Sequence, residues 1–202
     1  SIDEPITLVY KDFDNNGTID PILSYYIMGK SYPFASRDEL LDQIYGMRKK
    51  FTTYSEYADA DVNDIFSSKD LRDAPTLVAD ELRTTYFENT GGKFVMGKLP
   101  LEAQFSPVYA IEVLDYNNDG NPDFLLAGNQ SAIRIRMGLI DANYGELFKG
   151  DGKGNFKYVS QSVSGLKFTG DVKELKLLEI NNSAYLLGGI NNRGIEAYKL
   201  NK

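Results

Sequence analysis

Residues 12–20 read DFDNNGTID and residues 115–123 read DYNNDGNPD. Each stretch begins and ends on Asp, carries Asp or Asn at its third and fifth places, and has glycine sixth, Gly17 or Gly120. Few backbone paths suit that pattern. Side chains at places one, three, five and nine converge on one centre while the chain curls around it. Glycine permits the sharp turn, and the seventh residue can offer its carbonyl oxygen. The first loop then supplies Asp12, Asp14, Asn16, the carbonyl of Thr18, and Asp20. The second supplies Asp115, Asn117, Asp119, the carbonyl of Asn121, and Asp123. Such an all-oxygen set suits Ca2+, one ion per loop, better than Mg2+, which keeps more of its water. Each loop packs three carboxylates that repel one another without a cation, so metal binding would also be folding energy. The plain alternative is a pair of Asx-rich turns that bind nothing.

Neither loop is an EF-hand. That motif needs a bidentate Glu at place twelve and flanking helices, whereas place twelve here is Leu23 or Leu126. The flanks read as strands: ITLVY (6–10) and PILSYYIMG (21–29) around the first loop, VYAIEVL (108–114) and FLLAGN (124–129) around the second. A repeated strand–loop–strand unit follows, and residues 175–192, LKLLEINNSAYLLGGINN, read as a degenerate third copy without its carboxylates. Two Gly-rich hairpins, FENTGGKF (87–94) and FKGDGKGNF (148–156), resemble each other. Alternating stretches at 132–137 and 195–200 predict further strands. The middle differs: Ser36-Arg37-Asp38-Glu39 is a capping-box sequence, followed by Leu40, Leu41, Ile44 and Met47 at helical spacing and by basic Arg48, Lys49 and Lys50. Short helices are also predicted at 61–66 and 68–73. The chain is therefore expected to be mainly β, with a helical insertion over 36–74 that covers an edge or face of the sheets.

Composition narrows the chemistry. Among 202 residues there is no histidine and no cysteine. Ser–His and Cys–His nucleophiles are excluded, as are zinc and copper sites of the usual nitrogen and sulfur kind. A formal net charge of −7 argues against nucleic acid or an anionic membrane surface as a partner. No apolar run is long enough to span a bilayer. The N-terminal SIDEPITLVYKDFD shows neither an initiator Met nor a leader, so the chain is expected to be a processed or excised piece of a longer protein.

The loops, their strand flanks and the Gly(-Asn) endings resemble the FG-GAP/VCBS repeat family, whose calcium loops have the form DxDxDGxxD. Segments 36–66, 99–129 and 150–156 are similar, more narrowly, to the C-terminal part of exported bacterial proteins of the ASPIC/UnbV (cartilage acidic protein-like) group. Asn16 and Asn117 depart from the usual Asp. The resemblance implies a single repeat domain over 1–202, built of about three β-propeller-type blades, partial or open, with Ca2+ at both intact loops. It also implies export to the periplasm, outer membrane or medium. The expected role is a non-catalytic calcium-binding scaffold, or an interaction module for a protein, a glycan or other repeats of a parent chain. The alternative is a carbohydrate-active or other hydrolytic enzyme using carboxylate pairs such as Asp59 and Asp61 or Glu81 and Glu88. Exposed tyrosines such as Tyr54 and Tyr57 suggest adhesion, against the simpler role of covering the insertion's own core.

Overall fold

A computed structural model describes residues 1–200. The described residues form thirteen strands in four antiparallel sheets, with a few short helices. The chain separates into two compact units, Ser1–Leu82 and Arg83–Lys202.

In the first unit, β1 (Ile6–Lys11) leads into loop 12–19 and β2 (Asp20–Ile27) leads out, with Leu8 opposite Leu23. Met28 and Gly29, both at positive φ, turn β2 into β3 (Lys30–Pro33). Four short helices follow: α1 (Arg37–Gln43), α2 (Tyr54–Ala58), α3 (Val62–Ile65) and α4 (Ser68–Leu71). Each begins with a complete capping box: Ser36 with Glu39, Thr53 with Glu56, Asp61 with Asp64, and Ser67 with Asp70. The expected helix through Met47 instead stops after Gln43. Ile44 turns extended at φ −126°, and Tyr45–Lys49 form a 3-10 turn around the weak helix former Gly46. β4 (Thr76–Ala79) then pairs back onto β1, giving the order β3-β2-β1-β4. One face of this sheet is covered by the helical segment. Ile22 packs there with Leu40, Ile44, Phe51, Tyr57, Ile65 and Phe66.

The second unit opens with a hairpin, β5 (Tyr86–Thr90) and β6 (Lys93–Gly97), turned by Gly91-Gly92. A meander follows: β7 (Val108–Leu114), β8 (Asp123–Gly128), β9 (Glu146–Gly150) and β10 (Phe156–Val159). After α5 (Gln161–Ser164) come β11 (Val172–Ile180), β12 (Ser183–Ile190) and β13 (Ile195–Lys199). One core lies between these two sheets, with Leu125 and Leu147 meeting Phe168, Leu175 and Leu186. A smaller one, around Leu126 and Phe148, is closed by Ala103 of a 3-10 turn at Leu101–Gln104.

The alternating stretch at 132–137 is not a strand. Only an isolated bridge, Gln130 to Ile140, brackets it, and a 3-10 turn at Ile135–Met137 with Gly138 at φ 70° fills the loop. Alternation alone cannot make a strand where no adjacent strand forms a ladder with it.

Candidate metal centre

The two loops share one pattern of backbone N–H to side-chain hydrogen bonds. In the first, Asp12 accepts the Asn16 N–H at Oδ1 (3.0 Å) and the Gly17 N–H at Oδ2 (2.8 Å). Asp14 Oδ1 accepts the Asn16 N–H, Asn16 Oδ1 the Thr18 N–H, and Asp20 Oδ2 the Phe13 N–H. In the second, Asp115 accepts from Asp119 and Gly120 at 3.0 and 2.8 Å. Asn117 Oδ1 accepts the Asp119 N–H, Asp119 Oδ1 the Asn121 N–H, and Asp123 Oδ2 the Tyr116 N–H. The same backbone places, Asn15 and Gly17 or Asn118 and Gly120, sit at positive φ. Short Asx side chains dictate this form, because each can accept N–H groups two to five residues ahead. Thr18 and Asn121 enter these networks through their N–H groups.

Both ninth-place carboxylates, Asp20 and Asp123, are buried at 2% and 0% exposure. Each begins a strand, so the loop's last acid is held by the sheet and not by the loop alone. Asp12, Asp14 and Asp20 each bring one oxygen within 4.8 Å of the others, and they are the one group of three acids so gathered among the described residues. Oxygens sharing a calcium ion at its usual bond lengths lie at most about 5 Å apart. The first loop therefore fits such an ion in donor type and in spacing.

The chain matches no family model, no curated protein and no solved structure.

The second loop is differently furnished. The Lys149 ammonium, from β9, lies 2.8 Å from Asp119 Oδ2, which also accepts the Asn117 side-chain amide at 2.9 Å. The ammonium, followed by the Asn117 amide, holds the Asp119 carboxyl well below the usual range, and Asp119 in turn raises Lys149. Asp123 accepts a second N–H at Oδ1, from Gly150 at 2.8 Å. Gly152 of the following turn abuts Asn121 closely enough that a Cβ would collide with its amide oxygen. The GDGKGNF hairpin is visible in the sequence, but its docking is not, since only the β8–β9 register brings it to the loop.

In the segment 175–192, expected to be a degenerate third copy, a two-residue turn, Asn181-Asn182, both at positive φ, joins β11 and β12. At 151–155, Asp151 accepts from the backbone of Lys153 and Asn155 and from the Asn155 amide, a lone-acid Asx turn. Of the acids weighed for catalysis, Asp61 caps α3, Asp59 faces Lys30 at 3.4 Å, and Glu88 lies on the exposed hairpin strand β5. Tyr57 is buried in the helical core, its hydroxyl donating to the Ala35 carbonyl, whereas exposed Tyr54 donates to Asp38. No helix among the described residues is long and apolar enough to cross a membrane.

Proposed function

We propose that this chain is a non-catalytic, calcium-binding repeat module of FG-GAP/VCBS type. Its loops join neighbouring strands of propeller-type blades, and it serves an exported protein as a scaffold or as a surface for a protein or glycan. The observation that carries this is the doubled loop. Two nine-residue segments share one hydrogen-bond pattern and one pair of positive-φ places, and each ends on a buried Asp that opens a strand. The repeat extends beyond the loops, because β1-β2-β3 and β7-β8-β9 have the same consecutive antiparallel order. In the first loop Asp12, Asp14, Asn16 and Asp20 would hold the ion with the Thr18 carbonyl. In the second, Asp115, Asn117, Asp119 and Asp123 would do so with the Asn121 carbonyl. The bound ion cancels carboxylate repulsion and fixes the turn.

Thermal unfolding in calcium against EDTA tests the proposal. Saturation at a hundred times Kd adds about 2.7 kcal/mol, which raises the midpoint by roughly 5–10 °C for a chain of this size. An unchanged midpoint at millimolar calcium sinks it. By calorimetry, Asp12→Ala and Asp115→Ala should each remove one bound ion. Turnover of any glycan by the purified chain would overturn the non-catalytic assignment.

A further inference from the structure

We infer that Lys149 is a tethered competitor for the cation of the second loop, so that the two loops are unequal binders and the first fills before the second. This rests on the calcium reading above and adds a protein side chain to its control. The loops share the backbone hydrogen bonds of their turns, but the second adds one from the Asn117 side-chain amide to Asp119, and among the described residues only the first gathers its three acids within 4.8 Å. Their surroundings differ further. Asp12, Asp14 and Asp20 carry three negative charges, and no ion pair reaches them among the described residues. The nearest basic residue in sequence, Lys11, directs its ammonium to the Asp70 carbonyl at 3.0 Å. Asp115, Asp119 and Asp123 also carry three, but Lys149 brings a positive charge to 2.8 Å from one of them.

A divalent ion entering the second loop must either share Asp119 with that ammonium or push it away. Sharing places like charges on one carboxylate, and displacement gives up the ion pair. Either way the attraction is less than in the first loop. The ammonium already performs in part what the metal would do, neutralising Asp119 and tying β9 to the loop. Gly150, the next residue, ties Asp123 through its N–H. The second loop is thus preassembled by its own hairpin and depends less on metal for its shape.

Titration calorimetry with calcium chloride on chelator-stripped protein separates the sites. Asp115→Ala leaves the first loop, and Asp12→Ala leaves the second; the first should bind more tightly. Adding Lys149→Met to Asp12→Ala should tighten the remaining site by about threefold or more, because a half-exposed ion pair no longer opposes entry. Lys153→Met, one turn away on the same hairpin, removes the same charge without touching Asp119 and should change affinity less. Lys149→Met in the otherwise unaltered chain gives the same answer if Asp12→Ala folds poorly: two unequal binding phases should draw together. Equal affinities with no response to Lys149→Met overturn the inference while leaving the calcium reading intact. An equal response to Lys153→Met overturns it as well, since it would reduce the effect to general charge. No calcium uptake by any of these chains would overturn both.

Discussion

Phe13 and Tyr116 hold the same place in two loops of the same form, yet they are anchored in different cores. Phe13 turns away from the carboxylates and stacks on Phe66 of the helical segment, ring centres 3.7 Å apart. Tyr116 turns into the core between two sheets, beside Leu114 and Leu125. The ninth-place acids differ similarly. Asp20 receives one N–H, whereas Asp123 receives two and is fully enclosed by its hairpin. The contrast teaches that an Asx-rich loop sets its own hydrogen bonds but borrows its foundation. The same nine-residue pattern can be mounted on helices or on strands.

The largest test of that contrast is Phe66→Ala. Removing a side chain 3% exposed that also supports Phe13 should cost about 3–5 kcal/mol, read by urea unfolding. Calcium affinity should fall at the first loop and hold at the second. Equal loss at both would mean that the foundations are not separate. Next come the ninth-place acids, compared in EDTA so that metal plays no part. Asp123→Ala strands two N–H groups and should cost about 2–4 kcal/mol, and Asp20→Ala, which strands one, roughly half of that. A reversed order would show that the hairpin does not brace the second loop.

A smaller effect belongs to pH and to the second unit. Glu146 opens β9 at 4% exposure beside the Leu126–Phe148 core, with Oε2 unpartnered. Burial, with Glu102 as a second cause, raises its pKa to about 7. The folded value lies above the unfolded one, so its contribution is complete below pH 4.5 and is lost as pH rises through 7. Melting should therefore fall by a few degrees between pH 5 and pH 8, and Glu146→Gln should flatten that slope. A slope that survives the substitution assigns it elsewhere. The smallest effect is expected at the exposed Lys30–Asp59 pair, where Asp59→Ala should move the melting temperature by no more than about a degree. A larger shift would make that pair a structural tie between β3 and α2.

Much of the candidate centre was legible because its order is local. Asp12 and Asp115 accept N–H groups only four and five residues on, so spacing in the chain is spacing in space. Helix starts share that property. The capping box at Ser36 is plain in the sequence, and those at Thr53, Asp61 and Ser67 carry the same three-residue signal with Glu or Asp closing it. What was not legible depends on partners distant in sequence. Residues 132–137 alternate like a strand but form no strand ladder, and Lys149 reaches Asp119 only through the β8–β9 register. Ile44 continues a helical period that the turn after Gln43 breaks.

The four capping boxes bear on the order in which the first unit assembles. Each helix is four to seven residues long, too short to persist alone, yet each start is signalled by its own neighbours. β4 can reach β1 only once that segment has drawn the chain in, since Ile6 must find Ala79. All four β4 residues are exposed. β4 is therefore expected to dock last and open first, with its amides exchanging ahead of those of β2; slower exchange in β4 would reverse that sequence. A strand added so late acts as a latch on the sheet that carries the first loop.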